Sequence, residues 1–251
     1  MAKQKGILKL KGTMGDVTFY KTADGYLARE KGGVEKNRIM NDPKFKRTRE
    51  NGMEFGTAGK GGQLIRKANR LLIRQASDNR VISRLVRSLM LVIQSDTINR
   101  RGLRTVQDGD MSLLHRFDFN QKAKLDTVFF SGYSHTFDRM TGLYEVEIAD
   151  FVPKDTIEAP RGTTHIKISA AVSALDFLGR SFEEDHDETP MIPWDGVSQA
   201  AITLTANVSG GSLLPILQLI GVSFYQDVNG EMYLLRNGVF NALSIVGVDQ
   251  V

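Results

Sequence analysis

The sequence predicts an α+β fold in three parts: an N-terminal β-meander arm over residues 1–40, a basic helical hairpin over 41–110, and a C-terminal antiparallel β-sandwich or barrel over 111–251. Three observations predict it. Short alternating runs broken by Gly15-Asp16 and Asp24-Gly25 fill residues 7–30, and apolar residues recur at helical spacing from Leu64 to Ile93. After Leu113, about eight short apolar runs are separated by turn residues.

In the arm, the strand-like runs are Ile7–Lys11, Val17–Lys21 and Tyr26–Glu30. Val17, Phe19 and Lys21 fall on one face and Thr18 and Tyr20 on the other, the period of a half-buried strand. Asp-Gly between two such runs is a hairpin signal. A meander this small is marginal alone and needs something to lie against. Lys31-Gly32-Gly33 ends it, and Val34–Met40 is a connector of ambiguous type.

Asn41-Asp42-Pro43 reads as a helix start, a capping side chain followed by proline. Beyond it, Gly52, Gly56 and Gly59 are spaced by four and three, so on a helix they fall along one stripe that permits close backbone approach. Each glycine costs a helix about 1 kcal/mol relative to alanine, so packing must recover it; the competing reading is a flexible loop between helices. Leu64–Ala76 is a helix with Leu64, Ala68, Leu71, Leu72 and Ala76 on its apolar side. Ser77 or Asp78 caps a second helix whose buried stripe is Val81, Ile82, Leu85, Leu89, Val92 and Ile93.

The β half offers His115–Phe119, Val128–Phe130, Leu143–Ile148, Thr164–Val172, Ala200–Val208, Leu217–Gln226, Glu231–Leu235 and Leu243–Val248 as strands. Turns fall at Thr141-Gly142, Asn229-Gly230 and Asn237-Gly238, while Phe177–Pro193 reads as a long acidic loop.

Composition narrows the function classes. Apolar content of 41 % and charged content of 25 % are those of a globular chain. With no cysteine there is no disulfide, thiolate metal site or cysteine nucleophile. No apolar run of signal-peptide or membrane-spanning length is present, so the sequence predicts a soluble cytoplasmic protein, or one within a virion or phage-like assembly, with no membrane partner. Charge is lopsided: residues 1–110 hold 24 Lys and Arg against 11 Asp and Glu, a balance of +13, and residues 111–251 hold 9 against 18, a balance of −9. Such asymmetry suits a polyanion partner or attraction between opposite halves of neighbouring copies.

Signatures of chemistry are sparse. Gly59-Lys60-Gly61 resembles a phosphate loop but has Glu54 where the motif needs glycine and Gly61 where it needs Ser or Thr. The histidines, His115, His135, His165 and His186, do not sit at metal-ligand spacing. The run Glu183, Glu184, Asp185, His186, Asp187, Glu188 is the best cation candidate but lacks the glycine and downstream glutamate of a calcium loop. A solvated acidic loop or a docking patch for a basic neighbour is the favoured reading there, and a metal-dependent hydrolase the third. No catalytic residue, metal site or cofactor is expected. A basic contact face is expected at Lys46, Arg47, Arg49, Arg66, Lys67, Arg70 and Arg74, and the nucleic-acid reading adds Lys44 and Lys60 to the same run. Few aromatics interleave with these cations for base stacking.

The segments KGTMGDVTFYKTADGYLAREKGG and NDPKFKRTRENGMEFGTAGK, with the closing VSFYQDVNGEMYLLRNGVFNALSIVGVD, resemble a family of Bacteroidota proteins described as phage-like. The resemblance spans most of the chain and implies a bacterial or phage origin and a structural role; it brings no activity and no catalytic residues. The leading expectation is a non-enzymatic structural protein that self-assembles into a phage-like particle, tube or filament through charge-complementary and strand-addition contacts. The alternative is a nucleic-acid-binding structural protein using segment 44–74.

Overall fold

The computed structural model describes residues 2–30, 32–235 and 240–251, and the chain divides into two compact units, Met1–Glu50 and Asn51–Val251. The expected turn at Asn237-Gly238 lies outside the described residues, as does Lys31.

Unit 1 is a small antiparallel sheet followed by helix. Its strands are β1 (Ala2–Lys3), β2 (Gly12–Met14), β3 (Val17–Thr22) and β4 (Gly25–Glu30), in the order β1-β4-β3-β2. The β3–β4 hairpin pairs Val17 with Glu30 through Thr22 with Gly25, as its turn chemistry predicts. Ile7–Lys11 is not the expected strand. The Gln4 side chain substitutes for a strand neighbour there: its Oε1 accepts the Leu10 N–H at 2.9 Å and its Nε2 donates to the Leu10 and Leu27 carbonyls at 3.3 and 3.0 Å. That holds the segment in a bend. The connector contains α1 (Lys36–Asn41), and Asp42 accepts the Lys44 N–H at 2.9 Å where Pro43 opens a helical turn, the start read from Asn41-Asp42-Pro43.

The long helix α2 (Lys46–Ala68) begins at the end of unit 1 and contains every glycine from Gly52 to Gly62, so this stretch is helix and not loop. It ends at Asn69 instead of running on to Ala76. Asn69 is buried, with its Nδ2 donating to the Ile65 carbonyl and to Ser173 Oγ, both at 3.2 Å, and α3 (Arg70–Ala76) restarts after it. In the turn before α4 (Val81–Ser95), Asp78 accepts the Arg80 N–H at 2.7 Å.

The β half of unit 2 contains β5 (Tyr133–Asp138), β6 (Leu143–Ile148), β7 (His165–Asp176), β8 (Ser181–Glu188), β9 (Ile192–Pro193), β10 (Ile202–Asn207), β11 (Ile216–Val228), β12 (Glu231–Leu234) and β13 (Ala242–Asp249). Two antiparallel sheets result: β10-β6-β5, and β12-β11-β7-β8 with β13 added on β11 and β9 on β7.

Three layers follow from burial. On one face of the larger sheet, Ile166, Ile168, Val172, Ile220 and Phe224 pack against Tyr144, Val146 and Leu204 of the smaller one. On the other face, Ala171, Leu175, Leu217, Leu219 and Ile245 pack against Leu64, Leu72, Leu85, Leu89 and Val92 of the helices. The central strands are therefore covered on both sides, which explains why burial is unbroken over residues 168–175 in β7 and 216–224 in β11. It also merges the helical hairpin with the β half in one unit; the sequence had divided them at residue 110.

Three further differences from expectation have local causes. Phe177–Pro193 is not a long loop, because Ser181–Glu188 pairs with β7 as the strand β8. His115–Phe119 is not a strand; a helical turn at Met111–Leu114 precedes it, and although Arg116 and Phe119 donate to the Ile245 and Leu243 carbonyls of β13, both at 2.8 Å, the pairing stops at an isolated bridge between Asp118 and Ser244. Val128 belongs to a helical turn, Leu125–Val128, and Phe129 makes only an isolated bridge to Ile157.

Candidate functional site

One face of the α2–α3 segment is lined by Met53, Gly56, Lys60, Gln63, Lys67, Arg70 and Arg74, which recur at alternating three- and four-residue spacing. This is the spacing that keeps side chains on one side of a helix. They border three adjoining hollows of about 530, 60 and 530 Å³. The first and second share Lys60, Phe177 and Arg180, and the second and third share Gln63 and Lys67, so the hollows form one groove.

Its wall opposite Gly52 and Gly56 is the segment Gly102–Val106, positioned by two buried carboxylates. Glu54 accepts the Gly102 N–H at 2.8 Å, and Asp96 accepts the N–H groups of Ile98, Asn99 and Thr105 at 2.8, 2.9 and 2.9 Å. The Asn99 side chain also donates to Asp96, at 2.9 Å. Burial pushes the Asp96 carboxyl up, but the hydrogen bonds from Asn99, Thr105 and Ile98 outweigh it and leave it below the ordinary aspartate value. A depressed carboxylate contributes stability that is present above its unfolded pKa and is lost as pH falls through the folded one. Asp96→Asn is therefore expected to lose about 2–3 kcal/mol at neutral pH. Urea denaturation against pH checks this, since the gap between variant and parent should narrow below about pH 4.

The groove gathers part of the expected basic face. Arg66, Lys67, Arg70 and Arg74 line its third hollow, with Lys60 and Arg180 in the others. Among the described residues Lys60, Lys67, Arg70, Arg74 and Arg180 have no hydrogen bond or ion pair, whereas Arg66 donates to its own helix at the Gly62 carbonyl, 3.1 Å away. The carboxylate lining these hollows is Asp78, already held by Arg84 at 2.7 Å and by the N–H groups of Arg80 and Gln121. Arg180, in the turn between β7 and β8, was not singled out in the sequence because nothing local marks it.

The other expected cations belong to unit 1 and are locally engaged. Lys46 and Arg47 approach Glu50 at 3.9 and 3.1 Å, and Arg49 donates to the Ile39 and Asp42 carbonyls at 2.7 and 3.0 Å.

The glycine stripe also differs from expectation. A Cβ on Gly52, Gly56 or Gly59 would meet nothing within 4 Å, so these three are not close-packing positions within the chain. Close approach occurs instead at Gly61, where a Cβ would lie 3.2 Å from Val106, and at Gly62, 3.4 Å from Leu89. The stripe that packs is thus displaced to the C-terminal end of the glycine run.

The acidic residues are not a free loop. Along β8, Asp187 and Asp185 accept the N–H groups of Thr205 and Asn207 on β10 at 3.1 and 2.8 Å, and Glu183 accepts the Ser209 hydroxyl at 3.1 Å. These carboxylates stand where a neighbouring strand would stand and join the edges of the two sheets. The alternate residues turn elsewhere: Glu188 pairs with Lys167 and Glu184 with His186, both at 3.0 Å. Among the described residues no group of three or more His, Asp or Glu is arranged to hold a metal.

Unit 1 has a feature of a different kind. Of its described residues only Glu50 is buried. Ile7 and Leu8 are 101 % and 84 % exposed, and Leu10, Met14 and Val17 are exposed as well.

The class these observations define is an α+β protein whose β half is a layered pair of curled antiparallel sheets. No family model matches the chain, and no curated protein matches it. A solved structure from work on pH-induced modulation of Streptococcus parasanguinis adhesion by Fap1 fimbriae aligns over 47 % of this chain and 80 % of its own, at 16 % identity and a TM-score of 0.22. A likeness of that size carries no argument about this chain. No helix among the described residues is long and apolar enough to cross a membrane.

Proposed function

We propose that this chain is a non-enzymatic structural protein whose copies assemble into a larger phage-like object, a particle, tube or filament, with unit 1 as the arm that joins them. The observation that carries the reading is the unburied β part of unit 1, where the bend at 7–11 exposes Ile7, Leu8 and Leu10 and the sheet exposes Met14 and Val17. A small sheet without a buried face is marginal in water, and large apolar side chains left exposed within so short a segment mark an association site. A second copy is the occupant because it brings the same surface, so a single contact removes both from water.

The contact is apolar more than electrostatic. The densest acidic run, on β8, is largely engaged by its own sheet and by β10. The sheet edges β1 and β2 are two and three residues long, short for adding a further strand. The resemblance to phage-like proteins adds support. Negative-stain electron microscopy of the purified protein tests the reading: a repeating object is expected, and a field of isolated 27.9 kDa particles at high concentration overturns it.

A further inference from the structure

We infer that the groove along α2 and α3 binds a nucleic-acid strand through its phosphates. This stands apart from the assembly reading, since it uses unit 2 alone. The basis is a set of cations that folding has left without partners. Lys60 and Lys67 on α2 and Arg70 and Arg74 on α3 line the same groove, and Arg180 joins them from the turn after β7. Each is exposed and lacks a carboxylate or carbonyl acceptor among the described residues.

What sets these residues apart is their convergence on one groove, not the lack of a partner alone. Arg139 is paired with Asp249 at 3.0 Å, Lys167 with Glu188 at 3.0 Å, and Arg84 with Asp78 at 2.7 Å. Other exposed cations of this unit, Arg161 among them, are also unpaired among the described residues, but these five line one groove whose carboxylate, Asp78, is already engaged. Like charges held along one groove repel one another, and an external anion relieves that repulsion.

The spacing selects a polymer over a single anion. Lys60 and Arg74 are separated by fourteen positions across the break at Asn69, on the order of 20 Å at the helical rise of about 1.5 Å per residue. A strand of duplex DNA places a phosphate every 3.4 Å or so along its axis, so the row matches about six consecutive nucleotides. The groove is also apolar where it widens, with Phe177, Leu103 and Leu178 in its wall beside Lys60 and Arg180. A cationic track with an apolar wall is the arrangement by which proteins hold single strands, the backbone on the charges and the bases against carbon. A second copy of the chain is a weaker occupant, because its densest acidic strand already accepts hydrogen bonds from β10.

Fluorescence anisotropy with a labelled 20-nucleotide single strand, the matching duplex and a poly-glutamate of similar charge tests this across a salt series. Binding to the single strand is expected to weaken with log salt at a slope of about −3.5 if all five cations meet phosphates, and the duplex at about −4.5. Lys67→Ala combined with Arg74→Ala should make the slope shallower by about 1.4 for the single strand and about 1.8 for the duplex. Arg161→Ala, an exposed cation outside the groove, should leave it unchanged. Both altered lysine and arginine positions are exposed, and circular dichroism confirms that each variant folds. Absence of salt-sensitive binding overturns the inference, as does a slope that the groove variant leaves intact. Equal affinity for poly-glutamate overturns the assignment to nucleic-acid phosphates.

Discussion

Ile7→Asp combined with Leu8→Asp is expected to return assembled protein to single copies. Both side chains are almost wholly exposed in the chain alone, so the substitution removes no internal packing. In an assembly their burial is worth about 1.5–3 kcal/mol each, and the new carboxylates would have to be desolvated as well. A loss of 3–6 kcal/mol per contact weakens association by about 10²- to 10⁴-fold. Sedimentation velocity reads the shift, and an unchanged melting curve for unit 2 separates it from unfolding. Persistence of the assembled species in this variant would remove the arm from the contact.

Gly142→Ala is expected to be the most damaging single-methyl change in the fold. Gly142 turns the chain from β5 into β6 at φ +79°, a conformation that L side chains rarely adopt. Its carbonyl accepts the Val208 N–H at 3.0 Å, and a Cβ there would lie 1.8 Å from the Val208 carbonyl oxygen. The obstacle is backbone, so no rotamer change relieves it. A loss of about 3 kcal/mol or more is expected, lowering Tm by about 6–12 °C in a unit of this size. Gly56→Ala is the opposite case: its Cβ would meet nothing within 4 Å, and the helix should gain up to about 1 kcal/mol. Calorimetry on the pair checks both signs, and a Gly142→Ala protein as stable as its parent would contradict the turn geometry.

Much of this fold was legible in the sequence because local chemistry and tertiary structure agree. Asp24-Gly25 makes its hairpin, Asp42-Pro43 opens its helix, and Leu85, Leu89 and Val92 bury the stripe their spacing predicts. What failed had non-local causes. The β8 strand reads as a loop because its run of carboxylates argues against pairing, and only the N–H groups of β10, some twenty residues distant, give them a purpose. Asn69 interrupts a continuous apolar pattern because its side chain bonds Ser173, which no window on the helix contains. The period of Tyr133–Asp138 is strict, yet its polar and charged members hid the strand β5.

The candidate site was half legible. The basic residues from Arg66 to Arg74 were visible as a charge run, and they do line one groove. The division of the basic face was not visible, because Lys46, Arg47 and Arg49 find acceptors in unit 1 that only folding supplies. Glycine spacing likewise identified a helix correctly but could not say which glycines touch something. Gly61 and Gly62 do because Val106 and Leu89 arrive from later in the chain.

The most direct test of the assembly claim is the molar mass of the full chain by multi-angle light scattering across a concentration series at low and high salt. Association through an apolar arm should give a mass that is a multiple of 27.9 kDa, rises with concentration and survives high salt. A constant mass of 27.9 kDa at every concentration and in both salts would contradict it.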